Sequence, residues 1–259
     1  PGHDTNRITD VTERFFPPFM PLVTLKLQNV VRKKGHRRMK RNGKRMLGIG
    51  VLLLVAFVIW TGLIQSVDVQ AIGPNGTEIG FASWNRWFHA LFGVHMTIYT
   101  ITDWLGLVPV FGCMLFGGLG FVQLVKRRSL FQVDYDILIL GIYYLVVIVG
   151  YLVFEMIPIN YRPILIEGRM EASYPSSTTL LVLSVMPTLA EQLNRRLKYA
   201  ALKRGVSAFC ICFSAFMVIG RLIAGVHWFT DIVGAVLLSA GVYCIYKAAV
   251  LLCAKQDEG

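Results

Sequence analysis

The stretch GRLIAGVHWFTD (220–231) holds Arg221, His227 and Asp231 at spacings of six and four. Residues four apart share one face of a helix, so the spacing predicts that the Asp231 carboxylate accepts a hydrogen bond from the His227 imidazole. Such a bond fixes the tautomer and leaves the other ring nitrogen as nucleophile or base. The alternative is a His–Asp pair that caps a helix start, with Arg221 snorkelling to an interface. A second stretch, EMIPINYRPILIEGRMEASYPSSTT (155–179), places Arg162 before Pro163, which holds the chain extended. It ends in Pro175-Ser176-Ser177-Thr178 at the start of an apolar block. Hydroxyls, free backbone N–H groups and the positive end of a helix dipole make that start an anion site. Read alone, it is better taken as an ordinary Ser/Thr cap. Two arginines, a hydroxyl cluster at a helix start and a His–Asp pair together describe a phosphate pocket, because the guanidinium fork matches phosphate oxygens.

These residues must be held by apolar elements. Of the 259 residues, 55% are hydrophobic and 16% charged, against roughly 45–50% and about 25% in soluble domains. A spanning helix needs about 20 mostly apolar residues, and six blocks qualify: 46–67, 104–125, 137–154, 174–190, 205–226 and 232–254. The expected fold is an all-α integral membrane bundle of six transmembrane helices with a pocket at its outer face. Residues 1–45 form a basic cytoplasmic tail and 46–254 the membrane domain. The first apolar block starts too late, and runs too long, for a signal-peptide core. Cys113, Cys210, Cys212, Cys244 and Cys253 lie in or at the ends of apolar blocks and read as small hydrophobes, with no disulfide or zinc framework.

Charge gives the orientation. With both termini in the cytoplasm, 22 of the 26 Lys and Arg fall inside, and only Arg86, Arg162, Arg169 and Arg221 fall outside. The four external arginines therefore call for a reason, and the phosphate pocket uses two of them. The basic run VVRKKGHRRMKRNGKR abuts a span and has no interleaved aromatics, so its expected partner is anionic membrane lipid and not nucleic acid.

The order Arg-Pro, Pro-Ser, then Arg–five residues–His–three residues–Asp resembles the type 2 phosphatidic acid phosphatase superfamily. That family's signature reads Lys–six residues–Arg-Pro, Pro-Ser-Gly-His, and Ser-Arg–five residues–His–three residues–Asp. The resemblance covers about residues 100–250 and implies a membrane lipid phosphatase, acting on a lipid phosphate or diphosphate without a cofactor. It implies that Arg162, Ser176 and Arg221, with the neighbouring Ser177 and Thr178, bind the phosphoryl oxygens. His227 would attack phosphorus, oriented by Asp231, to form a phosphohistidine. Four positions depart from the family: Glu155 replaces Lys, Ser177 replaces Gly, Gly220 replaces Ser, and Thr178 replaces the histidine that protonates the leaving group. Threonine cannot be that acid. Three accounts follow: a leaving group that needs no proton, a substitute acid among Glu155, Glu167 and Glu171, or a lipid-binding or transport protein that keeps the cradle without hydrolysis. A phosphotransferase would use the same residues.

The loop 68–103 contains WNRWFHALFGVHMTIY, whose Trp84, Trp87, Phe88 and Tyr99 predict an interfacial helix. His89 and His95 read as bystanders there, although either could face the pocket. No pair of side chains has metal-ligand spacing, so no metal is expected. Asn75-Gly76-Thr77 is a glycosylation sequon if the host glycosylates.

Overall fold

The structure, a computed structural model, describes residues 20–254. Residues 1–19 of the expected tail lie outside the described residues. Among the described residues eight α-helices form: α1 (Met20–Ile64), α2 (Ala82–Phe92), α3 (Met96–Leu105), α4 (Leu107–Arg127), α5 (Tyr135–Met156), α6 (Ser177–Arg196), α7 (Ala200–Ile223) and α8 (Phe229–Cys253). Among the described residues there are isolated β-bridges but no strand. Among the described residues five stretches are long and apolar enough to cross a membrane: Lys34–Ile64, Met96–Arg127, Tyr135–Met156, Ala200–Ile223 and Phe229–Cys253. The chain is an integral membrane protein.

The fourth expected span, 174–190, is α6, a helix of 20 residues that is not among those five. Its position explains the weak hydropathy. It lies inside the bundle, in contact with α4, α5, α7 and α8, and buries Thr179, Ser184, Thr188 and Gln192. In lipid those groups would be costly, but here the protein gives partners to Thr179, Thr188 and Gln192, and leaves only the Ser184 hydroxyl without one. Tyr143 donates to the Ser184 carbonyl at 3.0 Å, Tyr144 and Thr188 share a hydrogen bond at 2.9 Å, and Gln192 donates to the Tyr246 hydroxyl at 2.9 Å. The lipid-like surface is instead carried by exposed Leu52 and Val58 of α1, Phe111 and Phe121 of α4, Ile142 of α5 and Ile211 of α7.

α1 extends well before the expected span. At 1.5 Å per residue its 45 residues reach about 68 Å, over twice the hydrocarbon thickness, so the basic run continues the same helix. Lys, Arg, Leu and Met are all good helix formers, and no proline interrupts the run between 22 and 64. α1 lies along α8, and small residues set the separation. A side chain at Gly241 would stand 2.8 Å from Leu54. Near the other end, Trp60 donates to the Thr230 carbonyl at 3.2 Å, and Thr61 meets the Tyr174 hydroxyl at 2.7 Å.

Chain directions then separate two ends. α1, α5 and α7 finish, and α4, α6 and α8 begin, at the end that holds 65–106, 157–176 and 224–228. The other end gathers Lys126–Arg128, Arg195–Arg204 and Lys247. α2 lies at the first end with Trp84 and Trp87 exposed, while Phe88 stacks on Phe229 at 4.2 Å.

Candidate active site

The 157–176 segment folds back on itself, with bridges between Tyr161 and Ala172 and between Ile166 and Arg169. This carries Arg162 into the bundle mouth, where it is 8% exposed. Its Nε forms an ion pair with a Glu171 carboxylate oxygen at 3.0 Å, but neither Nε nor Nη1 has a partner in hydrogen-bond geometry. Arg221, in the last turn of α7, is 1% exposed. Its Nη1 donates to Thr102 at 3.4 Å and faces Asp103 at 3.6 Å. Both guanidinium groups lie over the ring of Tyr99, Arg221 at 4.9 Å and Arg162 at 5.8 Å from its centre. The two arginines, 59 positions apart in sequence, thus converge on one aromatic ring, whose faces stabilise cations electrostatically.

His227 sits in the turn between α7 and α8. Gly225 makes that turn at φ +68°, and a side chain there would collide with the Gly93 backbone. The loop is tied down by His95 N–H donating to the Ala224 carbonyl at 3.0 Å and by Trp228 Nε1 donating to the Tyr161 carbonyl at 2.8 Å. The expected His–Asp hydrogen bond is not formed. His227 precedes α8 and does not share its helical face. Its Nδ1 lies 3.8 Å from Asp231 Oδ2 but 3.1 Å from the Ser173 carbonyl. Because a carbonyl only accepts, Nδ1 carries the hydrogen, and Nε2 is left with a lone pair. That Nε2 is buried and has no partner. Burial, followed by the charges of Arg162 and Arg221, holds the His227 pKa well below the ordinary 6.5, so the ring is neutral at neutral pH.

Asp231 does the capping of the alternative reading. Its Oδ2 accepts the Trp228 N–H at 2.9 Å at the start of α8, and Oδ1 accepts from Asn160 at 3.2 Å. The carboxylate is therefore fixed by two donors beside the imidazole without bonding to it.

The hydroxyl cluster divides. Ser176 is fully buried, donates its hydroxyl to Thr179 at 3.1 Å, and sends its backbone N–H to the Asp231 carbonyl at 3.2 Å. Ser177 lines a cavity of about 290 Å³ with Arg162, Glu155 and Glu171. Thr178 lines a different cavity, of about 260 Å³, with Asp103, Leu180 and Leu181. Ser177 and Tyr151 belong to both walls. Of the three glutamates, Glu155 faces the first cavity, Glu171 is engaged with Arg162, and Glu167 stands exposed in the tight turn of the fold-back. His89 packs against Trp228 with ring centres 5.7 Å apart, whereas His95 Nε2 bonds the Phe92 carbonyl at 2.8 Å. Among the described residues no group of three potential ligands could hold a metal.

Sequence reasoning missed Asp103, Asn160 and Ser173, and gave Tyr99 to an interfacial helix and not to the arginines. Asp103 had a usable signal, since an acidic residue at the edge of a spanning block points to a function. Ser173 contributes a backbone carbonyl, which leaves no trace in residue type.

The arrangement is that of a polytopic membrane protein with two buried arginines beside a neutral histidine. Residues 138–253, which include all five motif residues, match the model of the PAP2 superfamily. Among solved structures, the chain is similar to the first transmembrane PAP2 type phosphatidylglycerolphosphate phosphatase from Bacillus subtilis, at 19% identity and TM-score 0.49, over 77% of this chain and 93% of that one. No curated protein matches the sequence.

Proposed function

We propose that the protein is a membrane hydrolase that removes a phosphoryl group from a lipid phosphate or lipid diphosphate. The observation that carries this reading is the buried, unpartnered Nε2 of His227, held as the lone-pair nitrogen beside two buried arginines. The family match over 138–253 supports a membrane phosphatase.

In this reading Nε2 attacks phosphorus, the bond from phosphorus to the leaving oxygen breaks, and a phosphohistidine forms. Water then attacks phosphorus and returns the free imidazole. Arg162 and Arg221 hold the remaining oxygens, where preorganised donors stabilise developing charge. The Ser173 carbonyl keeps the tautomer, and Asp231 places a carboxylate near the imidazolium that develops. Thr178 supplies no acid, and Glu171 is engaged, so the leaving group either needs no proton or takes one from Glu155.

Phosphate release from lipid mono- and diphosphates by the detergent-purified protein tests the proposal. His227→Ala should lower the rate by on the order of 10³-fold or more, and acid-labile phosphate should be trapped on the parent only. A parent that binds the headgroups but releases no phosphate is a lipid-binding protein. That second reading is favoured by the carboxylate already paired with each cradle arginine.

The basic end is proposed to face the cytoplasm and the site the outside, with the basic half of α1 against anionic lipid. In a background free of native cysteines, His36→Cys and Arg127→Cys should resist impermeant thiol reagents in intact cells, and Thr77→Cys and Glu167→Cys should react. The reverse pattern overturns the orientation.

A further inference from the structure

The cavity of about 290 Å³ beside Arg162 has walls that a bare phosphate does not explain. Tyr151, Phe154, Tyr174, Glu155 and Glu171 belong to its wall; Tyr174 is stacked on Phe57 and almost wholly buried, so Tyr151 is the accessible aromatic side chain beside the two carboxylates. Arg162 is the one cation in the same wall, and it is more than nine-tenths buried with Nη1 unpartnered. The lining thus carries one positive and two negative charges. A phosphate alone would gain one guanidinium and meet two carboxylates, one of which already occupies the Nε side of that guanidinium. Carboxylates and ring faces together are the surroundings that attract an organic ammonium. A divalent metal would need oxygen ligands on most sides, and the aromatic walls supply none beyond their hydroxyls. At about 30 Å³ per water molecule, the space takes a short polar headgroup.

Resting on the phosphate-binding reading of the site, we infer that the preferred lipid carries an ammonium close to its phosphate, the phosphate meeting Arg162 and Arg221 and the ammonium lying between Glu155 and Glu171 against Tyr151. When the ammonium engages the glutamates, it withdraws Glu171 from Arg162 and frees that guanidinium for phosphate. The two halves of a zwitterionic headgroup therefore assist each other. Glu155 and Glu171 are specificity residues in this scheme and need supply no proton.

The test uses two probes that share a phosphate and a hydrocarbon chain: a sphingoid-base 1-phosphate and its N-acetyl derivative, whose nitrogen is uncharged. Binding to the detergent-purified full chain is measured in mixed micelles with EDTA present throughout. The ammonium form should bind about tenfold tighter, the scale of a desolvated cation–π contact with a charged hydrogen bond. Glu155→Gln, and the Glu155→Gln/Glu171→Gln pair, should bring the ratio towards one while still binding the N-acetyl probe, which also shows that they are folded. Equal binding of the two probes by the parent overturns the inference, as does a ratio unchanged in the double variant. The phosphatase reading fails separately. Phosphate release from both probes without ammonium preference keeps hydrolysis and removes the ammonium site. Ammonium preference without phosphate release does the opposite.

Discussion

The two ends of the bundle both set arginines beside carboxylates, yet they do opposite things with them. At the basic end, Glu191 receives Arg195 at 2.5 Å and Lys247 at 2.7 Å, and Asp136 receives Arg196 at 3.4 Å and Arg195 at 3.9 Å. There the arginines are about one-third exposed and the carboxylates mostly covered. At the site end the pattern inverts: Arg221 is 1% exposed while its partner Asp103 is 57% exposed and 3.6 Å away. The basic end closes its charges on one another. The site end buries the cations, leaves their donors unfilled, and keeps the anions at the rim where an incoming anion can displace them. A buried cation without full pairing is costly, and such costs concentrate at functional sites.

The contrast breaks most readily at Arg221. Arg221→Ala should weaken binding of orthovanadate by about 1.5–3 kcal/mol, the value of charged hydrogen bonds, measured by competition with a lipid phosphate. Unchanged vanadate affinity would mean that Arg221 is closed off like Arg195. A middle-sized effect concerns His227. Its pKa is held below 6.5 in the folded chain, so below pH 6.5 the unfolded chain takes up a proton that the folded chain refuses. Stability contributed by the neutral ring is complete above 6.5 and declines as pH falls towards the folded value, by up to about 1.4 kcal/mol per pH unit. Denaturation in detergent from about pH 7 to 5 should show this slope in the parent and a flatter one in His227→Gln. Equal slopes would place the ring in contact with water. The smallest effect belongs to the basic end. Glu191→Gln should cost at most about 1 kcal/mol of stability, since its partners remain hydrated, and should leave anion binding alone. A loss of vanadate affinity there would erase the distinction between the two ends.

Much of this was legible in residue order. Apolar runs marked the spans, and the Arg–His–Asp spacing marked the loop 221–231. What failed to show has physical reasons. The i, i+4 rule assumes that both residues lie on one helix, but the turn at Gly225 keeps His227 ahead of α8. Its partner then became the Ser173 carbonyl, which any residue could have supplied. α6 looked like a poor span because hydropathy scores contact with lipid, and α6 touches protein on all sides. The tail appeared separate from the first span because charge changes abruptly at 45, although helix propensity does not.

The packing of α1 on α8 bears on how the molecule can be divided. The segment that matches the family begins at residue 138, so an expression fragment cut there would look self-sufficient on paper. Yet Thr230 and Tyr174, which flank Asp231 and Ser176, are bonded to Trp60 and Thr61 of α1, and Gly241 is bare so that Leu54 can fit. Such a fragment would expose a groove along α8 shaped for a helix it no longer owns, next to the residues that hold the turn carrying His227. The first helix accordingly braces the site from behind, through Thr230 and Tyr174, and domain swaps among related proteins should carry it along with the helix it covers.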